Sequence, residues 1–239
     1  VNKAGLKQYI QPIFTREFKV IGKGQTVVDV MEILKTSFKY LNLRLDVKDS
    51  LNNPKVRTHQ FINLGTDYRA NYSTNAKRLI KRANIHFQYR RLNNLDVFID
   101  LIKDTLMTKI DEFNTANIEK LSTLMQVAQA EKKGKAIGIF DLEGHFVGAG
   151  FFFQHQNTVT YLKGTAIESA KKNGAMYGLI DSALQLFENE FEIFDFGGSD
   201  IDNVANFYHK FGALDRTYYH YIINNLPLWY RILKNVWKR

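Results

Sequence analysis

The residues best placed for chemistry follow an apolar run that ends in two glycines. In the stretch FEIFDFGGSD, residues 191–200, Asp195 lies between two phenylalanines, and Gly197 and Gly198 follow closely. Glycines at the end of a buried strand indicate either a turn that only glycine adopts or a group that approaches the main chain. Asp195 could orient a substrate or accept hydrogen bonds from backbone N–H groups. Ser199, which follows Gly198, could contact the same substrate, although serine is also typical of a helix N-cap.

A polar segment between residues 162 and 175 could bind an anionic cofactor group. Its candidate binding residues are Lys163, Lys171, Lys172, Asn173, Gly174 and Ala175. The pattern predicts a loop between a strand and a helix that begins near Met176. The N-terminus of such a helix supplies unpaired N–H groups and the positive end of the helix dipole, which suit a pyrophosphate. Many strand–loop–helix connections share this pattern, so it is not specific by itself.

A basic helix near residue 79 offers a second anion-binding surface. Its apolar side carries Leu79, Ile80 and Ala83, and the opposite arc carries Lys77, Arg78, Lys81 and Arg82. Arg78 and Lys81 could bind phosphate or carboxylate groups of a substrate. An ordinary solvated helix face is the simpler explanation of the same pattern.

Composition and charge exclude several kinds of site. The chain has 239 residues, a net charge of +9 and no cysteine, so it forms neither disulfides nor thiolate metal sites. The six histidines lack the spacing of a metal site, and neither a GxxxxGK[ST] phosphate loop nor a GxSxG motif occurs, so we expect no metal ion. Residues 68–95 carry seven basic and no acidic side chains, whereas residues 173–209 carry seven acidic and no basic ones. This asymmetry favours an anionic ligand.

Alternating strands and helices must position these residues. Apolar spacing predicts helices over residues 27–40, 68–85, 95–110, 115–131, 176–189 and 204–211, and a terminal helix after Pro227. It predicts strands over residues 7–13, 41–47, 56–64, 86–92, 135–142, 145–154, 158–162, 192–196 and 215–223. The expected fold class is α/β (α+β), with mixed, largely antiparallel sheets flanked by helices. We expect two units, residues 1–92 and residues 93–239, of which the first is partial.

Two motifs in the second half resemble a known family. Residues 194–198 read FDFGG and residues 207–212 read FYHKFG, similar to the YDFGG and FKxxFG signature of the Fem-type branch of the GNAT acyltransferase superfamily. The basic helix STNAKRLIKRA, residues 73–83, and the opening YIQPIFT, residues 9–15, resemble the same family. This branch includes aminoacyl ligases that act on peptidoglycan precursors and BioF2-like acyl-CoA N-acyltransferases. The resemblance implies tandem GNAT-like units.

The resemblance also implies an active cleft beside the glycine pair. Gly197 and Gly198 would let a substrate pass close to the backbone, Tyr161 would contact it, and a backbone N–H near Tyr161 would stabilise the oxyanion. The family has a lysine immediately after the first phenylalanine of FKxxFG, where this chain has Tyr208. Lys210 cannot replace it, because two positions along a helix is a rotation of about 200°. Tyr208 could donate a proton to the leaving group, and the missing lysine argues against aminoacyl-tRNA chemistry.

Three functions are compatible with these residues. The first is an N-acyltransferase in the bacterial cytoplasm, with acyl-CoA as co-substrate and a small-molecule or cell-envelope precursor amine as acceptor. The alternative within the same fold is a Fem-type aminoacyltransferase that uses aminoacyl-tRNA on a peptidoglycan precursor, with residues 69–91 following the RNA backbone. The third is a non-catalytic module that binds anionic glycans or a membrane surface through residues 229–239. Packing of Trp229 and Leu233 on the domain is the preferred explanation of that last segment.

Overall fold

The computed structural model describes residues 2–3, 5–22, 26–50, 52–106, 114–198 and 201–236. The helices are α1 (Val27–Ser37), α2 (Thr74–His86), α3 (Asp96–Leu106), α4 (Thr115–Ala130), α5 (Glu168–Lys172), α6 (Ala175–Phe187), α7 (Asp202–His209) and α8 (Leu228–Val236). The strands are β1 (Asn2–Lys3), β2 (Leu6–Ile10), β3 (Tyr40–Leu45), β4 (Lys55–Asn63), β5 (Phe87–Arg91), β6 (Gly134–Asp141), β7 (Phe146–His155), β8 (Thr158–Ala166), β9 (Ile193–Asp195) and β10 (Leu214–Asn224). None of the described helices is long and apolar enough to cross a bilayer.

The described residues divide into two compact units. One unit contains the residues up to Thr58 and from Arg216 onward, and the other contains His59–Asp215. This division differs from the predicted boundary at residue 92. The reason is strand pairing, since β5 pairs with β6 of the second half and β10 returns to pair with β3 of the first half. Such pairings join segments that are distant in sequence, and local patterns do not reveal them.

The first unit is organised around β3. This strand runs parallel to β2 and antiparallel to β10. Its side chains alternate, so that Leu41, Leu43 and Leu45 face a core that they share with Met31 of α1. The half-buried strand predicted over residues 41–47 is therefore confirmed as far as Leu45. Val47, the last residue of the predicted strand, lies outside β3 and is exposed.

The second unit is built on a mixed sheet in the order β4–β9–β8–β7–β6–β5. The pairs β5–β6, β6–β7 and β7–β8 are antiparallel, β8 and β9 run parallel, and β9 is antiparallel to β4. On one face, Leu179 and Phe187 of α6 pack with Phe152 and Phe194 of the strands, and α2 joins the same core. α3 and α4 contact the sheet from the other face. The predicted fold class, a mixed sheet flanked by helices, is confirmed.

The predicted polar loop over residues 162–175 is mostly regular structure, and the loop interpretation was wrong. β8 continues to Ala166 because its ladder with β7 extends to the pair of Ala166 and Gly148. Residues 168–172 then form the short helix α5. Strands are predicted from the alternation of apolar and polar residues, and the polar and small residues 163–166 interrupt this alternation. The second half of β8 was therefore not predicted.

The predicted helix over residues 68–85 consists of two elements. Tyr68–Asn71 form a 3-10 turn, and α2 begins after Ser73, whose hydroxyl accepts a hydrogen bond from the N–H of Ala76. This is the side-chain N-cap that serine favours. The helix predicted over residues 95–110 is described to Leu106 as α3, and its predicted end lies outside the described residues.

Candidate active site

The strands β8 and β9 stay paired briefly and then separate. β9 pairs with β8 only from Thr158 to Thr160, whereas β8 continues to Ala166 against β7. The β7–β8 register shifts between Phe151 and Phe152, and an irregularity of this kind bends a strand and increases its twist. Within the part of the chain that the structure describes, no strand covers the β9 side of β8 beyond Thr160. Three of the predicted site residues, Gly197, Tyr161 and Tyr208, meet beside this open edge of β8.

The glycine pair turns the chain directly after β9. Gly197 has φ +75 and Gly198 has φ +83, both in the left-handed region that favours glycine. A Cβ atom at Gly197 would lie 2.7 Å from the main-chain oxygen of Tyr161. Both alternatives raised by the sequence therefore hold at Gly197: the turn requires glycine, and the group that approaches it is the main chain of β8. Both glycines are partly exposed, whereas Ser199 lies outside the described residues.

Asp195 is buried at the end of β9, where it holds the turn. Its Oδ1 atom accepts a hydrogen bond from the N–H of Gly197 at 2.8 Å, which is the simpler of its two predicted roles. The Nδ1 atom of His59, a buried residue of β4, lies 3.5 Å from the same Oδ1. Sequence reasoning missed His59. The β4–β9 register, which pairs Phe61 with Asp195, brings the two together, and no local spacing indicates it.

Tyr161 and Tyr208 meet beside this turn. Tyr208 of α7 stacks on Phe196 with ring centroids 4.4 Å apart, and it meets the ring of Tyr161 edge-on at 6.5 Å. Tyr161 is only 6% exposed and Tyr208 only 7% exposed. Burial raises the pKa of both phenols well above the usual range, and the carboxylate of Asp195 raises the pKa of Tyr208 further. Both phenols therefore stay protonated at neutral pH.

Neither phenol donates a hydrogen bond to any of the described residues. Buried tyrosine hydroxyls normally have a partner. The hydroxyl of Tyr161 lies against Gly164, where a Cβ atom would overlap it. The two hydroxyls are thus available to a ligand on the open edge of β8.

The N-terminus of α6 packs closely against α2. Gly174 precedes the helix with φ +83, and a Cβ atom there would lie 2.7 Å from the main-chain oxygen of Leu79. Gly174 and Ala175 are both buried. This packing covers part of the predicted anion-binding helix end, and Met176 and Tyr177 are the first residues of the turn that are partly exposed.

Lys210 brings a positive charge to the first turn of α6. Its Nζ atom donates a hydrogen bond to the hydroxyl of Tyr177 at 3.2 Å. Tyr208 points instead towards Phe196, so the two side chains diverge as the helical rotation predicted. The sequence did not indicate Lys210 as a binding residue, because the contact joins α6 to the end of α7 and depends on how the two helices pack.

The remaining predicted cofactor residues lie in different places. Lys171 forms an ion pair with an acidic residue of α5, Lys172 is exposed, and Asn173 is partly buried. Lys163 projects from the face of β8 opposite to Tyr161, because the two residues pair with successive residues of β7. Of these residues, Lys172 is the one whose charge is both exposed and close in sequence to the start of α6.

The basic helix α2 borders a cavity of about 690 Å³ that it shares with α6. Lys77, Lys81 and Arg69 line this cavity, together with the buried Asp181. Burial raises the pKa of Asp181, although hydrogen bonds from neighbouring side chains oppose the rise. Arg78 is exposed on another side of the helix. Of the two predicted substrate-binding cations, only Lys81 therefore lines the cavity.

A small polar cluster also occurs at the turn between β6 and β7. Asp141, Glu143 and His145 each offer one possible metal-ligand atom, all within 4.8 Å of one another. Hydrogen bonds from two N–H groups of the turn and from the His145 ring to Asp141 account for this arrangement. The cluster is therefore explained by the turn itself.

A hydrogen-bonded group holds the end of α7 and thereby positions Tyr208. Asp215 Oδ1 accepts a hydrogen bond from Gln60 Nε2 at 2.8 Å and lies 3.0 Å from His209 Nε2. Burial raises the pKa of Asp215, but these hydrogen bonds outweigh it and lower the pKa below the ordinary 3.8. A carboxyl group with a lowered pKa in the folded state stabilises the fold above its ordinary pKa, and this stabilisation is lost as the pH falls.

We predict that Asp215→Asn reduces the free energy of unfolding at neutral pH by less than about 1 kcal/mol. The effect is small because the ion pair of Asp215 with His209 is partly exposed to solvent. The difference from the native chain should vanish as the pH falls below 3.8. Urea unfolding across this pH range measures it. Asp67→Asn is the matched control, because Asp67 is exposed and makes no capping hydrogen bond. A difference that persists at low pH would show that Asp215 acts by packing alone.

The fold is similar to that of several solved structures. FemX matches with a TM-score of 0.60 and 12% sequence identity, over 85% of this chain and 70% of the FemX chain. L-PGS from Bacillus licheniformis matches with a TM-score of 0.52 and 12% identity, over 85% of this chain and 74% of its own. A tandem GNAT protein from the clavulanic acid biosynthesis pathway matches with a TM-score of 0.50 and 12% identity, over 87% and 74% of the two chains.

These similarities show the fold, which is Fem-like and of the GNAT type. The resemblance that the FDFGG and FYHKFG motifs predicted is confirmed at this level. No protein-family model matches the sequence, and no curated protein sequence matches it.

Proposed function

We propose that the chain is an N-acyltransferase that transfers an acyl group from acyl-CoA to an amine. One observation carries the proposal: two buried phenols, Tyr161 and Tyr208, have no hydrogen-bond partner among the described residues and flank the open edge of β8 beside Gly197. The proposed substrate groove follows this edge, where main-chain groups and protonated hydroxyl groups suit a reaction in which a carbonyl oxygen and a leaving group both need hydrogen-bond donors. The GNAT-type fold supports the same reaction class.

The reaction forms one C–N bond and breaks one C–S bond. The neutral amine attacks the thioester carbonyl carbon, and the carbonyl oxygen acquires negative charge. A backbone N–H of β8 near Tyr161 is the proposed donor to this oxyanion, since the β9 side of β8 carries no strand there within the described residues. The intermediate then collapses to the amide and expels the thiolate of CoA.

Tyr208 is the proposed proton donor to the leaving sulfur. The phenol is protonated at neutral pH, so it carries a proton that it can donate to the developing thiolate. The nitrogen of the intermediate loses its proton to solvent, and the phenolate of Tyr208 recovers one from solvent. In the balance, the proton of the amine ends on the CoA thiol.

The first turn of α6 is the proposed site for the CoA pyrophosphate. It combines the positive end of the helix dipole with the ammonium group of Lys210, and the exposed Lys172 adds charge nearby. Because Gly174 and Ala175 are buried, the side-chain cations would contribute more to the binding free energy of the pyrophosphate than the N–H groups at the start of α6.

Calorimetric titration of the full chain with CoA and acetyl-CoA tests the proposal directly. Heat of binding and thermal stabilisation by both ligands are expected, together with release of the CoA thiol when a panel of primary amines is added. The absence of heat and of stabilisation at millimolar ligand would reject acyl-CoA as the donor. If acetyl-CoA binds but no amine of the panel releases the thiol, the acyl-CoA site would be supported and the tested amines would be rejected as acceptors.

We predict that Lys210→Gln raises the dissociation constant for CoA about tenfold or more. The reason is that a hydrogen bond to a charged group contributes roughly 1.5–3 kcal/mol. The matched control is Lys103→Gln, because Lys103 is exposed on α3 and is paired within that helix. Calorimetric titration measures both variants. Equal affinity of the Lys210 variant and the native chain would place the pyrophosphate elsewhere.

A second candidate function is favoured by the cationic cavity at α2. Arg69, Lys77 and Lys81 converge there, and such a surface could follow the backbone of an aminoacyl-tRNA that donates an aminoacyl group to a peptidoglycan precursor. Electrophoretic mobility shifts with tRNA at low and high salt distinguish the two candidates. Salt-sensitive tRNA binding that Lys77→Glu and Lys81→Glu abolish would favour aminoacyl transfer, and no binding at low salt would reject it.

A further inference from the structure

The terminal helix α8 is attached to the first unit by its polar side. The hydroxyl of Tyr230 accepts a hydrogen bond from Nε2 of Gln8, a buried residue of β2, at 2.9 Å. The guanidinium group of Arg231 donates to the main-chain oxygens of Leu226 and Asn224 at 2.8 and 2.6 Å. These contacts fix which side of α8 faces the unit.

The apolar side of α8 consequently faces away from the unit. Leu228, Trp229 and Ile232 are 71%, 52% and 57% exposed, and they share one face because they are one and four positions apart on a helix. We predicted that Trp229 and Leu233 pack on the domain. For Trp229 this prediction is wrong, because about half of the residue is exposed. The side chain of Leu233 is not among those that the structure describes.

This orientation is the reverse of an ordinary surface helix, whose apolar side faces the core. The face of the sheet that carries Gln8 also carries Asn42 and His220, which hydrogen-bond to each other at 2.8 Å. The same face carries Ile10 and Ile222, which are 47% and 59% exposed. The apolar side of α8 does not cover these two side chains, so the apolar side chains of both the sheet and α8 stay in contact with water. An outside partner is needed to remove these side chains from water.

The charge of the segment indicates the kind of partner. Residues 226–239 contain four basic and no acidic residues, so the apolar face of α8, which includes a tryptophan, belongs to a cationic segment of the sequence. This combination is typical of helices that lie in the interface of an anionic lipid surface, with apolar side chains among the acyl chains and cations near the headgroups.

We propose that α8 docks the chain on the surface of membranes that contain anionic lipids. The contact is peripheral and reversible, since it uses one helix face. It goes beyond acyl transfer, because it depends only on the first unit and makes no use of the open edge of β8.

Vesicle binding of the full chain tests this proposal. In a Trp237→Phe background, Trp229 is the only tryptophan, so its fluorescence reports on α8 alone. We expect co-sedimentation and a blue shift of the emission with phosphatidylcholine vesicles that contain phosphatidylglycerol, weak binding to phosphatidylcholine alone, and loss of binding as salt rises. Absence of binding to the anionic vesicles at low salt would overturn the proposal.

The double variant Leu228→Gln/Ile232→Gln should lower the partition coefficient at least about tenfold, equivalent to about 1.4 kcal/mol. Circular dichroism should show an unchanged fold, because both side chains are exposed. The matched control is Val127→Gln, which replaces a 56% exposed apolar residue of α4 and should leave vesicle binding unchanged. Equal binding of the double variant and the native chain would overturn the proposal. So would a concentration-dependent dimer that the double variant abolishes, because a second copy would then cover this face.

Discussion

Replacing Tyr208 with phenylalanine should lower the turnover number of amine acylation by about 100-fold, within the range that a positioned general acid contributes. The loss follows from removing the proposed proton donor to the leaving thiol. The affinity for CoA should stay within about twofold of the native value, because Tyr208 is not among the groups proposed to bind the pyrophosphate. The measurement is the rate of CoA thiol release with the best amine of the panel, combined with calorimetric titration.

The same substitution should leave the free energy of unfolding unchanged or slightly higher. The hydroxyl of Tyr208 makes no hydrogen bond to the described residues, so its removal relieves burial of a polar group instead of breaking a contact. The matched control is Tyr68→Phe, which removes a hydroxyl that donates to Glu188 on the far end of α6 and should leave turnover unchanged. Loss of stability in Tyr208→Phe, or unchanged turnover, would contradict the proposed role.

Replacing Gly197 with alanine should destabilise the second unit by about 2–5 kcal/mol. A left-handed conformation costs a residue with a side chain roughly 1–2 kcal/mol. The added Cβ atom would also lie 2.7 Å from the main-chain oxygen of Tyr161, and relief of such overlap typically costs a further 1–3 kcal/mol or so. Because Tyr161 lies on the proposed groove, acyl transfer should fall with stability. Urea unfolding and thiol release measure the two effects.

Gly144→Ala is the matched control for this prediction. Gly144 has φ +89, but nothing lies within 4 Å of a Cβ atom at that position. Both glycines belong to the second unit, so the conformational cost is shared, and only Gly197 adds steric overlap. We expect Gly144→Ala to cost about 1 kcal/mol. Equal destabilisation by the two substitutions would show that β8 can move away from Gly197, and that the close approach does not shape the groove.

The order and type of most elements could be predicted from the sequence, because they depend on local periodicity. The alternation of Leu41, Leu43 and Leu45 is a property of one strand, and it survives in the structure. The requirement for glycine at residue 197 is similarly local, since a positive φ is a property of one residue. The motifs at residues 194–198 and 207–212 indicated the fold for the same reason, as each is a short continuous stretch.

Prediction from the sequence failed where strand pairing decided the outcome. The polar end of β8 gave no strand signal, yet the ladder with β7 keeps it extended to Ala166. The unit boundary differed from residue 92 because β10 returns to β3. In both cases the stabilising hydrogen bonds come from a distant segment, and their energy is not encoded in the local pattern.

The candidate site shows the same division. The sequence by itself determined that glycines end β9, that Tyr208 replaces the lysine of the resembled family, and that a helix follows Pro227 in a segment rich in basic residues. Only the tertiary structure decided that His59 lies beside Asp195, that Tyr161 and Tyr208 meet without a hydrogen-bond partner in the described part of the chain, and that α8 exposes Leu228, Trp229 and Ile232. Conformational preferences act over a few residues, whereas these contacts depend on sheet order, strand register and helix packing, which join residues far apart in the chain.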